Sequence, residues 1–313
     1  MKVLPRVPLA ALLVSTVPAL HAADPLLFSF FRNNGEDGLY LASSDDGLTW
    51  TALHGDRPLL RPQVGESKLM RDPSILRAAD GVFHMVWTTA WGGATIGHAS
   101  SPDLIHWSPQ QAVPAMAGID GVANCWAPEL FEDRGEFVIL WASTVRGRFP
   151  ETLGTASRQN NHRIYATRTR DFRAFTPPQL FYDPGFIVID AALFRPGSGH
   201  EFAMVVKNET LTPPAKNLFL TYSGSLDGPW TKPGPPISGP DWAEGPSPVR
   251  IGGYWYIYFD KYRDHRYGAV RSRDLTHWED VTGRIRMPEG ARHGTVFRAP
   301  RAVVDRLRQG ENR

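Results

Sequence analysis

Cysteine is almost absent from this chain: one of its 313 residues is a cysteine, Cys125. A single thiol excludes an internal disulfide framework and any cysteine-rich metal or redox centre. No motif pairs this thiol with a base, so a buried packing role beside Trp126 is expected rather than a thiol enzyme.

An excess of charge of one sign is lacking as well. The chain has 34 Lys and Arg residues against 32 Asp and Glu residues, a formal net charge of +2. This balance provides no field for gripping a phosphate backbone, so no nucleic-acid partner is expected. Disorder is excluded because 42% of the residues are hydrophobic.

No apolar run reaches the roughly 20 residues that cross a bilayer. A shorter apolar run lies within residues 1–23, after Lys2 and Arg6, and it ends in the small residues of LHAAD. This order is typical of a secretory signal peptide, cut near Ala22 or Ala23. The sequence therefore predicts an exported protein, periplasmic or extracellular, without a membrane span.

Glycine, proline and tryptophan are plentiful, with 29, 27 and 10 residues, which favours short strands and many turns. Five segments share a short polar residue, an Asp, a tight turn and an aromatic: SSDDGLTW, SSPDLIHW, TRTRDFRAF, SGSLDGPW and RSRDLTHW. They recur about 57 residues apart, and such a period of strand-like units predicts a β-propeller. Their tryptophans recur once per unit, so they are assigned to packing: Trp50, Trp107, Trp230 and Trp278.

A second repeat lies inside the first and supplies the innermost strand of each blade. Its members are RDPSIL, WAPELF, IDAALF, EGPSPV and RHGTVF. Aligning them places at one equivalent position Asp72, Ala127, Asp190, Glu244 and His293. Inner strands line the central channel of a propeller, so these residues are expected to ring one mouth of five blades.

The two ends of the propeller predict how the ring closes. The mature chain starts with LLFSFF and lacks an inner strand in its first blade, whereas HGTVFRA near the other end supplies one. Sharing a blade between both termini removes the exposed edges. The expected fold is therefore a single all-β, five-bladed propeller over 24–304, followed by a loose charged tail over 305–313.

Side chains near the mouth that carries this ring are candidates for binding a ligand. The connections between second and third strands border that mouth and are longer than those on the opposite face. Trp91 lies in one of them and Trp126 precedes the ring position, and indole rings stack on flat apolar faces of ligands. Phe149, His265 and Arg266 lie in two further long loops; the alternative for Arg266 is an exposed loop charge.

The motifs RDPSI, WAPEL, VIDAALF, AEGPSPV and RHGTV, in this order and at blade spacing, resemble those of glycoside hydrolase family 43. The resemblance covers essentially the whole mature chain and implies hydrolysis of xylosides, arabinofuranosides or galactosides with inversion. It implies that Asp72 is the general base, that Asp190 tunes and orients, and that Glu244 is the general acid. WAPEL in place of WAPDV and the missing Pro after Asp190 leave the substrate subgroup open.

These roles agree with the chemistry of the reaction. Cleaving a glycosidic bond with inversion needs one carboxylic acid and one carboxylate about 6.5 to 9.5 Å apart. Asp72 and Glu244 fall in different blades, which permits such a separation. Asp190 would add a negative charge near Glu244, and a like charge favours the protonated form of an acid.

Each of these acidic residues also has a structural interpretation. Asp72 could cap a turn, Asp190 could be a structural buried carboxylate and Glu244 could be a rim residue. Glu129, two residues beyond the ring position with the same facing, is interpreted as structural rather than catalytic. The alignment of three carboxylates favours catalysis.

His293 is open between three interpretations: it accepts a water, closes the blade, or ligates an ion in the channel, as central histidines of family relatives do with calcium. No cofactor is expected to be required.

The sequence thus predicts an exo-acting glycosidase that cleaves terminal xylose or arabinofuranose from plant-type oligosaccharides or polysaccharides. The long loop over 141–163 favours end-on attack. A propeller that binds glycans or protein without catalysis is the alternative, since fold alone does not give function. A related propeller glycosidase acting on galactosides or fructosides is a further alternative.

Overall fold

A computed structural model describes residues 24–197 and 199–309. The predicted signal peptide, residues 1–23, lies outside the described residues. The described chain forms nineteen β-strands, three short 3-10 helices and one α-helix. None of its helices has the length and apolarity that a membrane span requires.

The strands form five antiparallel sheets, which are the five blades predicted from the repeats. Blade 1 contains β1 (Leu26–Phe30), β2 (Tyr40–Ser44), β3 (Thr51–Ala52) and β19 (Val296–Arg298). Blade 2 contains β4 (Arg71–Arg77), β5 (Phe83–Thr88), β6 (Ile96–Ser101) and β7 (Gln111–Val113). Blade 3 contains β8 (Trp126–Asp133), β9 (Glu136–Ser143), β10 (Arg163–Thr169) and β11 (Gln179–Tyr182).

Blade 4 contains β12 (Val188–Phe194), β13 (Phe202–Asn208) and β14 (Leu218–Ser223). Blade 5 contains β15 (Glu244–Ile251), β16 (Tyr254–Lys261), β17 (Arg266–Ser272) and β18 (Glu279–Asp280). Blade 4 lacks a fourth ladder strand. The corresponding segment, TKPGPPI over 231–237, contains three prolines, which cannot donate a ladder hydrogen bond.

The ring closes within blade 1, as predicted. β19 pairs antiparallel with β1, with Leu27 opposite Phe297. The N–H of Ser29 donates to the carbonyl of Thr295 at 3.0 Å. The first and last strands of the propeller therefore share one sheet, in which β1 is paired on both sides.

The chain continues past the propeller differently from the loose tail predicted for 305–313. Helix α1 (Arg301–Gln309) extends through most of that segment, and residues 310–313 lie outside the described residues. Val303, Val304 and Leu307 are buried in the core cluster that also contains Leu27 and Leu41. The charged residues of this segment suggested a loose tail, but its apolar positions fall on one face of a helix and can be buried.

The repeated turn explains why each blade has the same sequence outline. At the first turn, Ser44 Oγ accepts a hydrogen bond from the N–H of Gly47 at 2.9 Å. Asp46 Oδ1 accepts from the N–H groups of Leu48 and Thr49 at 2.7 and 2.9 Å. Equivalent caps occur at three other turns, formed by Ser101 and Asp103, Thr169 and Asp171, and Ser272 and Asp274. The short polar residue and the Asp of the repeat are therefore turn caps.

The turn tryptophans pack as predicted. Trp50 is buried, contacts Phe28 with ring centroids 5.9 Å apart and lies edge-on to Tyr258 at 5.7 Å. Trp107, Trp230 and Trp278 are half-buried against the neighbouring core clusters. The core thus lies between successive blades, and the central channel is lined by the innermost strands.

Candidate active site

The innermost strand of four blades breaks its ladder at the same place. In blade 2, Arg71 pairs with Thr88 but Ser74 pairs with Val86, so two residues bulge out between them. The equivalent bulges lie in β8, β12 and β15. The first bulged residue is left-handed in every case, with φ of 51°, 49°, 53° and 59° for Asp72, Ala127, Asp190 and Gly245. Such bulges redirect side chains next to active sites.

This register corrects the sequence alignment at Glu244. Gly245, and not Glu244, occupies the blade position of Asp72 and Asp190. Glu244 is equivalent to the residues that precede the bulge in the other blades: Arg71, Trp126 and Ile189. The error arose from matching carboxylates with one another. Matching the Pro-Ser pairs of RDPS and EGPS would have placed Gly245 opposite Asp72.

Both positions nonetheless face the same pocket at one mouth of the channel. The predicted residues Asp72, Asp190, Glu244 and His293 all line it. The complete lining consists of Arg71, Asp72, Thr88, Trp91, Trp126, Ala127, Ile189, Asp190, Lys207, Glu209, Glu244, Tyr262, Arg292 and His293. Trp91, Glu209 and Tyr262 come from the second-to-third connections, which the sequence predicted to border the mouth.

Asp72 is held through both of its oxygens. Thr88 Oγ1 donates to Asp72 Oδ2 at 2.7 Å, and Nδ1 of His293 lies 3.4 Å from Asp72 Oδ1. Burial lowers the pKa of His293, but the carboxylates of Asp190, Asp72 and Glu244 outweigh it, and the net pKa is raised. His293 therefore carries positive charge to a higher pH than free imidazole and stabilises the carboxylate of Asp72.

Asp190 links the neighbouring inner strand to the same histidine. Its Oδ2 accepts the backbone N–H of Gly245 at 3.0 Å and lies 4.0 Å from Nδ1 of His293. Burial raises the pKa of Asp190, and the negative charges of Glu244 and Asp72 act in the same direction. Asp190 thus occupies the interior of the site and holds the strand that begins with Glu244.

Glu244 lies between two cations that the sequence analysis did not anticipate. Its Oε2 is 3.1 Å from Nζ of Lys207, and its Oε1 is 3.6 Å from Nη2 of Arg292. The side chain of Glu244 keeps 21% of its surface exposed, so a ligand in the pocket can reach it.

Lys207 is 1% exposed and forms the centre of a buried charge network. Its Nζ lies 2.8 Å from Oε2 of Glu209, which also pairs with Lys216. Burial lowers the pKa of Lys207, but Glu244 and Glu209 overcome this and raise it well above its usual value. Lys207 is therefore an ammonium that contacts the candidate acid.

The contact of Lys207 with Glu244 has counterparts between other successive blades. In blades 2, 4 and 5, the last residue or the residue near the end of the second strand contacts the inner strand of the next blade. Lys207 reaches Glu244 in this way, and Asp260 accepts a hydrogen bond from Arg292 Nε at 2.7 Å. Thr88 Oγ1 accepts the N–H of Ala127 at 2.8 Å.

A signal for these residues was present in the sequence, because each polar side chain comes directly after a buried apolar run. The runs FHMVWT, FAMVVK and YWYIYFD end in Thr88, Lys207 and Asp260. Asp260 is fully buried, and burial together with Glu244 raises its pKa.

Trp91 and Trp126 lie in the pocket, as predicted. Their ring centroids are 5.5 Å apart at 88°, and Nε1 of Trp126 donates to the carbonyl of Trp91 at 3.0 Å. Trp91 is 53% exposed, which leaves a ring face available to a sugar.

Three predicted sugar-binding residues lie outside this pocket. The ring of Phe149 packs against the guanidinium of Arg163, 4.3 Å from its centroid. His265 and Arg266 line a separate cavity with residues 282–291, and Arg266 pairs with Asp264 at 3.4 Å. The positions of these loop residues depend on loop conformation, which no repeat in the sequence specifies.

Glu129 and Cys125, which the sequence analysis interpreted as structural residues, lie outside the pocket. Glu129 lines a different cavity and accepts a hydrogen bond from Thr295 Oγ1 at 3.3 Å; burial raises its pKa to about 7. Cys125 is buried, with Sγ 3.6 Å from Ser143 Oγ, and burial raises the pKa of its thiol to about 12.

His293 is a candidate ligand for a calcium ion in the channel. Calcium takes six to eight oxygen ligands at about 2.3 to 2.6 Å. Within 24–197 and 199–309, no three His, Cys, Asp or Glu side chains are grouped so that they could hold a metal. No step below depends on an ion in the channel.

A family comparison agrees with this arrangement. Residues 24–305 match the model of a family related to glycosyl hydrolase family 43, described as "Probable glycosyl hydrolase domain". The chain is also 24% identical over 234 residues to an alpha-L-arabinofuranosidase of Bifidobacterium longum subsp. longum. That alignment covers 65% of this chain and 22% of the relative, so the chain spans about a fifth of the relative's length.

Solved structures resemble the propeller at low identity. An alpha-L-arabinofuranosidase from Lactobacillus brevis superposes with a TM-score of 0.51 at 18% identity, covering 68% of this chain and 72% of the other. An endo-arabinase from Bacteroides thetaiotaomicron gives 0.53 at 16%, covering 71% and 84%. An exo-beta-1,3-galactanase from Phanerochaete chrysosporium gives 0.51 at 12%, covering 66% and 48%. At such identities the likeness extends to the fold alone.

Proposed function

Since this chain belongs to the glycosyl hydrolases related to family 43, we propose that it is an exo-acting, inverting glycosidase that removes terminal arabinofuranose or xylose from plant-type oligosaccharides or polysaccharides. The observation that carries the proposal is the gathering of three carboxylates with different partners in one pocket. The arabinofuranosidase of Bifidobacterium longum, which is similar over 65% of this chain, supports a pentose as the cleaved unit.

In this proposal Asp72 is the general base. A base must be ionised and must keep an oxygen directed at the attacking water. Thr88 donates a hydrogen bond to one oxygen of Asp72, and the cation of His293 lies beside the other. The water attacks the anomeric carbon on the face opposite the leaving group, which inverts the configuration.

Glu244 is the proposed general acid, which donates its proton to the leaving oxygen. Lys207 and Arg292 stabilise the carboxylate that remains after proton transfer. This stabilisation assists departure of the leaving group. Asp190 and Asp260 add negative charge near the same acid. The two cations and the two carboxylates around Glu244 thus have opposite electrostatic effects on this acid.

Asp190 is proposed to orient the acid rather than to exchange protons. Its hydrogen bond to the N–H of Gly245 anchors the residue that follows Glu244. The exposed ring of Trp91 is proposed to stack on the sugar at the rim. The signal-peptide pattern in residues 1–23 supports export as the location of this activity.

A panel of nitrophenyl glycosides tests the proposal. The wild-type protein is expected to hydrolyse an arabinofuranoside or a xyloside faster than galactosides and glucosides. Glu289→Gln, which changes an exposed carboxylate outside the pocket, serves as the matched control for Glu244→Gln. Binding of glycans without hydrolysis of any member of the panel would instead support a non-catalytic propeller.

A further inference from the structure

Arg71 is clamped at the rim of the pocket before any ligand arrives. Its guanidinium carbon lies 4.2 Å from the ring centroid of Trp91 and 4.7 Å from that of Phe31. Nη1 of Arg71 donates to Asn34 Oδ1 at 3.2 Å, and Nε1 of Trp91 donates to the same oxygen at 2.8 Å. Two ring faces and one amide therefore fix the plane of the guanidinium.

In the described part of the chain, no carboxylate lies within 4.0 Å of this cation. The other cations of the pocket, Lys207, Arg292 and His293, each lie within 4.0 Å of an acidic side chain. Among the described residues Arg71 forms no such ion pair. Glu36 lies nearby, but it accepts from the amide of Asn34 at 2.8 Å.

A preorganised guanidinium with free donors is suited to a planar anion. Arginine presents five N–H donors in a fork that matches a carboxylate through two parallel hydrogen bonds. One of these donors is used by Asn34. We propose that Arg71 binds the carboxylate of a uronic acid unit in the substrate, an inference that rests on the proposed glycosidase function.

The uronate belongs to the unit next to the cleaved sugar, and not to the cleaved sugar itself. A negatively charged reacting sugar would face Asp72, Asp190 and Glu244 at the bottom of the pocket, and like charges repel. Arg71 instead stands beside the exposed ring of Trp91 at the rim. The substrate is therefore an acidic glycan that carries a neutral terminal sugar.

A neighbouring cavity has the same charge. It is lined by residues of the long loop between β9 and β10, including Arg146, Arg148 and Arg158, and no acidic residue lines it. In the described part of the chain, none of these three arginines has an ion-pair partner. Ala123 lines this cavity and accepts the N–H of Gly93, in the loop of Trp91, at 3.1 Å. An acidic glycan leaving the pocket can therefore continue along a basic surface.

Calorimetric binding of two matched trisaccharides tests this proposal. The probes are a digalacturonate that carries a terminal xylosyl unit and its carboxyl-reduced, neutral counterpart, both with the xylosyl unit joined through sulfur to resist hydrolysis, titrated into the whole protein. We expect the acidic probe to bind at least about tenfold more tightly than the neutral one, since a charge-assisted bidentate pair is stronger than a neutral hydrogen bond. The preference should shrink between 50 and 500 mM salt, because salt screens exposed charges.

Variants of Arg71 assign the effect. Arg71→Gln should abolish the preference, and Arg71→Lys should keep part of it because lysine provides charge without the fork. Arg273→Gln is the matched control: Arg273 is exposed and stacks 4.3 Å from the ring centroid of Tyr254, outside the pocket. It should retain the full preference.

The outcomes separate this inference from the proposed function. Equal affinity for the two probes, absence of binding of both, or a preference that survives Arg71→Gln would overturn the uronate site, even if aryl glycosides are hydrolysed. A preference lost in Arg71→Gln, together with no glycoside hydrolysis, would support the carboxylate site and contradict the glycosidase.

Discussion

The backbone N–H of Gly245 donates to Oδ2 of Asp190 at 3.0 Å, which ties the strand of the candidate acid to the preceding blade. Gly245 has φ of 59°, and a Cβ at this position would stand 2.4 Å from Cγ of His293. The missing side chain therefore makes room for the histidine that faces both Asp72 and Asp190. Gly245 thus allows the close approach of His293 to the strand that carries the candidate acid.

Gly245→Ala is expected to reduce kcat/KM by more than about tenfold while the protein stays folded. The added methyl displaces His293, and a non-glycine residue in the left-handed region costs about 1–2 kcal/mol of stability. Gly252→Ala is the control, because Gly252 also has φ of 59° and has nothing within 4 Å of its would-be Cβ. Kinetics and urea unfolding of both variants check this; equal loss of activity in the two would contradict it.

The two proposed catalytic carboxylates should differ in their dependence on the leaving group. Glu244→Gln should slow substrates with poor leaving groups far more than activated aryl glycosides, because it removes the donated proton. Asp72→Asn should slow all substrates. Added azide should restore the activity of Asp72→Asn better than that of Glu244→Gln, because azide replaces the nucleophile and not the acid. Each loss is expected to be about 10²–10⁴-fold.

Kinetics on a series of aryl glycosides measure this difference, and proton NMR of the first product should show the inverted anomer. Retention of configuration, or equal sensitivity to the leaving group in both variants, would require the acid and base to be reassigned.

Helix α1 should contribute to the stability of the propeller. Leu307→Ala is expected to lower the free energy of unfolding by about 2–4 kcal/mol, since it leaves a cavity where a leucine is buried. Arg306→Ala, on the exposed side of the same helix, should have little effect. Thermal and urea unfolding measure the difference. Equal stability of the two variants would mean that the helix does not dock in solution.

The buried His98, which contacts the half-buried His84, should make the protein less stable in acid. Nδ1 of His84 lies 3.2 Å from Nε2 of His98, and burial lowers the pKa of His98 to about 3, with the neighbouring His84 adding to the effect. The unfolded chain binds a proton at this histidine below about pH 6.5, whereas the folded chain does not until about pH 3. Stability is therefore lost as the pH falls through this window.

Replacing His98 measures its share of that loss. Between pH 6 and pH 4.5, His98→Gln should lose about 2 kcal/mol less than the wild-type protein, from a slope of about 1.4 kcal/mol per pH unit. Urea unfolding at both values tests this. The same loss in both proteins would show that other groups, such as the buried His162, account for the acid sensitivity.

Much of this molecule follows from the sequence by itself. The caps formed by Ser44 and Asp46, and by their counterparts in three other blades, are local interactions between residues a few positions apart. Such contacts leave a repeated signature, so the blade number could be counted and the ring could be closed through HGTVFRA. The same periodicity brought Asp72, Asp190 and His293 to one mouth.

Only the tertiary structure decided which groups surround each carboxylate. Glu244 is the residue before the bulge of its strand, whereas Asp190 lies within the equivalent bulge of the preceding blade. Lys207 and Arg292 contact Glu244 from the neighbouring blades. Phe149 follows its loop away from the pocket. These relations depend on contacts between residues far apart in the chain, and on loop conformations that do not repeat. Periodicity determines on which strand a side chain lies, but packing between blades determines what that side chain touches.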